Sequence, residues 1–183
     1  MSHLNFLKYS FLGNTIESYL WFLGILAVGI ILKRFLSKVI SRVLYEIFKR
    51  YGRSVGAERF IELMNGPFQL FIMVLILFLA FKQLAFPPEW HVGSGSKFGV
   101  RMVVARLYKG LLIFSIFWIL VRLIDFIGMI LLNRAKRSAS RMDDQLVPFA
   151  KEAIKVIVAG IGFLVLIGIV FNLDVVSLVT GLG

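Results

Sequence analysis

Two charged residues, Arg122 and Asp125, stand inside an otherwise apolar run, GLLIFSIFWILVRLIDFIGMILLN, which covers residues 110–133. Their spacing of three positions brings both side chains to one face of a helix, where a guanidinium and a carboxylate can pair. Ionisable residues inside such runs either pair for structural reasons or serve ion paths and gating. The sequence therefore predicts an ion pair between Arg122 and Asp125 and leaves its role, structural or functional, open.

No other set of residues has the spacing of a catalytic or metal site. The chain has no cysteine, which excludes disulfides, thiolate metal ligands and cysteine nucleophiles. Its two histidines, His3 and His91, lie far apart, with no carboxylate at metal-ligand or triad spacing. The Gly- and Ser-containing stretch 93–99 matches neither the dinucleotide-binding nor the Walker motif, so it is predicted to be a flexible loop. We therefore expect no enzymatic activity, no cofactor and no metal.

The composition is typical of an integral membrane protein. Of the 183 residues, 59% are hydrophobic and only 17% are charged, and the mean hydropathy is +0.88. A soluble domain cannot hide that much apolar surface in one core. The formal net charge is +11, and because lysine and arginine flank the apolar runs, we expect contacts with anionic lipid headgroups and not with nucleic acid.

Four apolar runs could cross a membrane as helices, and they cover residues 18–32, 63–81, 110–133 and 156–173. A transmembrane helix needs about 20 predominantly apolar residues. The first run reaches that length if its helix starts near Asn14 and if Lys33 and Arg34 extend toward the headgroups. The sequence therefore predicts an all-α polytopic membrane protein with four transmembrane helices.

The fourth run contains four small residues, which are Ala159, Gly160, Gly162 and Gly168. Small side chains let a neighbouring helix approach closely inside a membrane. We therefore predict that the fourth helix packs against another helix and does not face lipid on all sides.

The distribution of lysine and arginine predicts the orientation. Residues 33–59 contain eight of them and residues 134–155 contain six, whereas residues 82–109 contain five and the N-terminal residues contain one. Because cytoplasmic connectors are enriched in these residues, the first two segments are predicted to be cytoplasmic. The N-terminus and the residues after Leu173 are then outside, and a further helix would run inward.

Residues 33–59 form a basic amphipathic segment. Leu36, Ile40, Val43 and Ile47 fall on one side of a helix, and the basic residues fall on the other side. The segment could continue the first crossing into the cytoplasm and pack on a neighbour, or it could bend into the headgroup plane.

We expect five basic residues to contact lipid headgroups, and they are Arg34, Lys38, Arg42, Lys151 and Lys155. Lys151 and Lys155 lie one helical turn apart, at the start of the fourth apolar run. Sensing of anionic lipid is the alternative role for these two lysines.

Residues 141–183 combine several features in order. An Arg-x-Asp element, Arg141–Asp143, lies in a basic, loop-like stretch and precedes an amphipathic lead-in, the fourth apolar run and a polar turn, Asn172–Asp174. The sequence DVVSLVTGLG completes the segment. In this order the segment resembles the start of the pore domain in the small-conductance mechanosensitive channel family, in which the last part opens the pore-lining helix.

The resemblance implies a fifth, pore-lining helix that starts near the end of this chain. It also implies candidate gating or coupling residues, which are Arg141, Asp143, Asp144, Asn172, Asp174, Gly181 and Gly183. For Asp143 and Asp144 a simpler role is open, because carboxylates also cap the positively polarised N-terminus of a helix.

The resemblance also implies an organisation and a function. Residues 1–140 would form a tension-sensing paddle with three spans, and residues 141–183 would add the fourth span and the start of the pore helix, without the pore itself. The expected function is sensing of membrane tension in a channel that opens on osmotic down-shock. The expected assembly is a homo-oligomer in a bacterial inner membrane, a heptamer if the pore domain is present. A non-channel scaffold or a subunit of a larger membrane assembly is the alternative.

Overall fold

Four long helices make up most of the part of the chain that the computed structural model describes, which comprises residues 10–11, 13–52, 56–84, 100–136, 141–171 and 173. The helices are α1 (Ile16–Gly52), α2 (Ala57–Phe81), α3 (Val100–Ala135) and α4 (Arg141–Phe171). All four are long and apolar enough to cross a membrane. The prediction of an all-α polytopic membrane protein with four spans is confirmed. His3, His91, the predicted loop 93–99 and the predicted pore-helix start after Leu173 lie outside the described residues.

A small hairpin precedes α1. Strand β1 (Ser10–Phe11) pairs antiparallel with β2 (Asn14–Thr15), and Gly13 in the turn adopts a left-handed φ of 77°, which glycine adopts without a steric penalty. Thr15 then caps α1, because its Oγ1 accepts a hydrogen bond of 3.3 Å from the Ser18 amide. The cap explains why α1 begins at Ile16, close to the start predicted near Asn14.

Helix α1 passes through the basic segment without a break. Its 37 residues span about 55 Å, well beyond the roughly 30 Å hydrocarbon core. Ser37 and Ser41 lie on the side that contacts α2 and are fully buried, whereas Val43 and Ile47, on the predicted apolar side, are exposed. The described part of the basic segment 33–59 therefore continues α1 and packs on α2, which was the first of the two alternatives.

Helices α1 and α2 run antiparallel. Phe22 near the start of α1 contacts Phe81 at the end of α2, with ring centroids 5.4 Å apart. At the opposite end, the Ser37 hydroxyl donates to the Asn65 carbonyl at 3.0 Å and contacts the Asn65 side-chain oxygen at 2.9 Å. Interhelical hydrogen bonds and small residues at close approach are typical of helix packing in lipid.

The buried core lies between α2 and α3. Phe60 and Phe126 are both fully buried, and their rings meet edge to face with centroids 4.5 Å apart. Met64, Phe68 and Ile130 complete this cluster. At the other end of the same helix pair, Phe78 stacks on Tyr108 with centroids 5.2 Å apart, so α2 and α3 are also antiparallel.

Helix α4 packs on α3, again antiparallel. A Cβ atom on Gly162 would lie 2.7 Å from the Phe117 ring, so the absence of a side chain at this position allows the close approach. Gly168 is buried as well, whereas Gly160 has open space where a side chain would be. The prediction that α4 packs on another helix is therefore confirmed. Only one face of α4 takes part in this packing.

The helices follow one another in a row, because the main contacts join α1 to α2, α2 to α3 and α3 to α4. Only 11% of the residues in the most apolar stretches of α1 and α4 are buried, against 39% for α2. The two outer members of the row therefore expose most of their apolar surface. We call the two ends of the row the Glu62 end and the Lys82 end, after the charged residues that bound the apolar run of α2.

Candidate functional site

Five charged side chains meet between α3 and α4 near the Glu62 end, and we call them the α3–α4 charge cluster: Arg122, Asp125, Lys151, Glu152 and Lys155. Arg122 and Asp125 belong to α3, and the other three belong to α4. The i,i+3 spacing on α3 and the i,i+4 spacing of the two lysines place the members on facing sides of the two helices.

Asp125 is the centre of the cluster. Its carboxylate lies 3.0 Å from Lys155 Nζ, 3.8 Å from Lys151 Nζ and 3.4 Å from Arg122 Nη1. The Asp125 side chain is only 11% exposed, so these cations replace most of the water that would otherwise solvate it. The structure thus brings Arg122 and Asp125 together, as the spacing indicated, and adds two lysines from α4.

Glu152 closes the cluster on its exposed side. Its carboxylate oxygens lie 3.0 Å from Lys151 Nζ and 3.3 Å from Lys155 Nζ, and its side chain is 57% exposed. Each lysine therefore bridges a shielded carboxylate on α3 and an exposed carboxylate on α4. With three cations and two carboxylates, the cluster has a formal charge of +1.

The packing of α4 on α3 positions Lys151. Its methylene stem crosses α3 at Gly128, where a Cβ atom would collide with the Lys151 Cδ and Cγ atoms. A glycine at this point therefore gives the lysine a direct path to Asp125. Pro148, inside α4 just before the cluster, has no N–H, so the Asp144 carbonyl receives no helical hydrogen bond from that position.

Lys151 and Lys155 have partners within the protein that their spacing did not indicate. Their predicted contact with lipid headgroups stays a prediction, and the structure pairs both ammonium groups with Asp125 and Glu152. The physical reason is that a carboxylate on the facing helix is close enough to satisfy them, and a partly shielded carboxylate needs such partners. By contrast, Arg34, Lys38 and Arg42 are exposed on α1.

The charge cluster lies at the boundary of the apolar part of the row. Asp125 is adjacent to Phe126, which packs on Phe60 of α2. Glu62, which bounds the apolar run of α2, follows Phe60 by two positions. Arg59 and Glu62 form an exposed i,i+3 pair at 2.6 Å near this level. The cluster therefore occupies the depth at which charged side chains begin on α2.

A second polar contact joins α3 and α4 near the Lys82 end. Arg106 Nη1 donates a hydrogen bond of 3.2 Å to the Val170 carbonyl, one of the last carbonyls of α4. These carbonyls have no partner within their own helix and carry the negative end of the helix dipole. Arg106 thus caps a helix that lies 64 residues away in sequence, a contact that sequence spacing could not indicate.

The residues expected from the family resemblance are only partly within the described chain. Arg141, Asp143 and Asp144 lie in the first turn of α4, so the predicted loop-like stretch is helical there, and their side chains are not among those described. Asn172, Asp174, Gly181 and Gly183 lie outside the described residues.

Among the described residues, no group of three or more histidine, cysteine, aspartate or glutamate side chains could hold a metal ion. No protein-family model, curated protein or solved structure matches the chain.

Proposed function

We propose that this chain responds to membrane tension and transmits the response through the α3–α4 charge cluster to the segment after α4, as in small-conductance mechanosensitive channels. One observation carries the proposal: α4 packs mainly on α3, and Asp125 on α3 is held by two lysines on α4. On this proposal the chain works as a homo-oligomer in a bacterial inner membrane.

The exposed apolar surfaces of α1 and α4 supply the contact with lipid. Tension thins a bilayer and enlarges its area, and helices longer than the hydrocarbon core respond by tilting or shifting. Helices α1 and α4 contain 37 and 31 residues, about 55 and 46 Å. Both are longer than the core, so a thinner bilayer changes their fit.

The paired lysines allow α4 to move without taking both of its cations away from Asp125. Lys155 and Lys151 lie 3.0 and 3.8 Å from the same carboxylate, and they are one turn apart on α4. Because both lysines already contact Asp125, a shift of α4 along α3 in either direction moves one lysine away and leaves the other beside the carboxylate. Since a shielded carboxylate needs such partners, the two lysines allow α4 a range of movement of about one turn, roughly 5.4 Å.

Spin-label distances in proteoliposomes test this motion directly, because the chain has no cysteine of its own. One label pair, Leu79→Cys with Val156→Cys, reports on α2 and α4. Both positions are exposed, and they lie at opposite ends of the row, so the line between the labels runs largely along the helices. The control pair, Leu79→Cys with Val43→Cys, reports on α2 and α1 in the same way. Lysolipid added to the outer leaflet supplies the tension.

We expect the α2–α4 distance to change by about 3–5 Å, a half to one helical turn, while the α1–α2 distance stays the same. The Asp125→Asn variant lacks the carboxylate that limits the shift and should show a broader distance distribution. Distances that do not respond to lysolipid would overturn the proposal and favour the alternative of a scaffold or subunit, whose exposed α1 and α4 surfaces would bind other protein chains.

A further inference from the structure

A cavity of about 450 Å³ lies between α2 and α3 near the Lys82 end, and its volume is within the range of ligand-binding sites. On α2 it extends from Val74 to Phe81, and on α3 from Val104 to Leu111. Seven residue steps on each helix give it a height of about 10 Å. We call this cavity the α2–α3 groove.

The groove is apolar except at one position. Phe78 and Tyr108 stack on each other at its wall, Ala105 contributes a small side chain, and Lys109 is the one charged residue among the described residues that line it. A second cation is close, because Lys82 Nζ lies 4.9 Å from the centre of the Phe78 ring. No carboxylate is found among the described lining residues.

The depth of the groove matches that of a lipid molecule. Lys82 bounds the apolar run of α2, so the Lys82 end lies near the membrane surface. Tyr108 is at the level of Phe78, about one turn deeper, and the long side chain of Lys109 can extend from there to the headgroups. The apolar part of the groove then lies in hydrocarbon, with two ammonium groups at headgroup depth.

We propose that the α2–α3 groove holds one acyl chain of an anionic phospholipid, whose phosphate contacts Lys109 and Lys82. The apolar wall excludes water and fits the acyl chain, while two cations without a lining carboxylate favour a negative headgroup. The site is separate from the charge cluster at the other end of the row. It does not depend on the tension-sensing proposal.

Lipid retention by the 183-residue chain tests the site. The purified protein is exchanged into detergent with equal amounts of phosphatidylglycerol and phosphatidylcholine, and bound lipid is counted by native mass spectrometry. Ala105→Phe fills the groove from an exposed position, with Val103→Phe, exposed on the same helix but outside the groove, as the control. Ala105→Leu is a smaller change if the phenylalanine variant does not fold.

A second pair of variants tests the headgroup. Lys109→Ala removes a cation at the groove, and Lys136→Ala removes one just after α3 ends, at the Glu62 end. We expect the wild-type chain to retain one phosphatidylglycerol in preference to phosphatidylcholine. Ala105→Phe should abolish retention, and Lys109→Ala should reduce the preference about fivefold, the effect of one cation near a surface.

Retention that survives both Ala105→Phe and Ala105→Leu would overturn the site. Equal retention of the two lipids, or equal losses in Lys109→Ala and Lys136→Ala, would overturn the assignment of an anionic headgroup. The lipid site would be established if Val103→Phe and Lys136→Ala leave retention unchanged while Ala105→Phe abolishes it and Lys109→Ala reduces the preference for phosphatidylglycerol.

Discussion

Lys155 Nζ lies 3.0 Å from Asp125 Oδ1, across the interface of the last two helices of the row. Lys151 reaches the same carboxylate from one turn away, at 3.8 Å. Asp125 therefore has alternative partners on α4, whereas Asp125 is the carboxylate of α3 with which each lysine forms its ion pair. This asymmetry predicts unequal effects of removing the two kinds of charge.

Asp125→Asn should destabilise the protein far more than Lys155→Met. Loss of the carboxylate leaves the two lysines with Glu152 alone and removes the partner of Arg122, so it should lower the free energy of unfolding by about 3 kcal/mol. Loss of Lys155 leaves Lys151 and Arg122 beside Asp125, so about 1 kcal/mol is expected. Unfolding by steric trapping in bicelles measures both.

The control is Arg59→Met, which breaks the exposed Arg59–Glu62 pair at 2.6 Å. Because both side chains are more than half exposed, the effect should stay below about 1 kcal/mol. Equal effects of Asp125→Asn and Lys155→Met would contradict the central role of Asp125.

Gly162→Ala and Gly160→Ala should have different effects on stability although they are two positions apart. A Cβ atom at Gly162 would lie 2.7 Å from the Phe117 ring, whereas nothing lies within 4 Å of one at Gly160. The first change should cost about 1–3 kcal/mol by overpacking, and the second should be neutral or should stabilise by up to about 1 kcal/mol. Thermal unfolding in detergent compares the two, and similar melting temperatures would argue against the close approach of α3 and α4.

Gly128→Ala should remove Lys151 from the charge cluster without changing a charged residue. The new Cβ atom would collide with the stem of Lys151, which must then turn away from Asp125. Adding Lys151→Met to Gly128→Ala should therefore destabilise less than adding it to the wild-type chain. A double-mutant cycle of unfolding free energies measures this difference. Strict additivity would show that Gly128 does not position the lysine.

Arg106→Gln should loosen the end of α4. The guanidinium donates to the Val170 carbonyl at 3.2 Å, so its loss removes a cap and a favourable charge at the negative end of the helix. Hydrogen exchange should report the change at the Leu173 amide, which bonds the Gly168 carbonyl at 2.8 Å. About fivefold faster exchange is expected for a contact of roughly 1 kcal/mol.

Arg106→Lys keeps the charge and serves as the matched variant. It should recover part of the protection, because a lysine can still reach the end of the helix but lacks the fork of donors that a guanidinium provides. Exchange at Leu173 that is the same in all three proteins would exclude the cap.

The four spans could be predicted because apolar runs of membrane length are a strong signal. The apolar runs alone do not give the full lengths of the helices, since α1 and α3 continue through charged residues that end such a run. Residues 33–52 belong to α1 and residues 100–109 belong to α3. For α1 the amphipathic pattern left this continuation as one of two alternatives, and the burial of Ser37 and Ser41 against α2, which no pattern within one helix shows, decides between them.

Within the charge cluster, only the Arg122–Asp125 contact followed from spacing. The lysines meet Asp125 because Gly162 receives Phe117 and Gly128 receives Lys151, which sets the register of α4 on α3. Interhelical register depends on such local fits of shape, and no periodicity within one helix encodes it. The same reason explains why Arg106 and Val170 could not be paired from sequence.

The order of the helices in the row has a consequence for biosynthesis. Each helix packs mainly on the one made just before it, so a newly inserted span finds its neighbour already in the membrane. No early helix has to wait for a distant later one, and the chain can assemble in the order in which the ribosome delivers it. Asp125 is the exception, because its lysine partners are synthesised about 30 residues later, and until then only Arg122 can neutralise it.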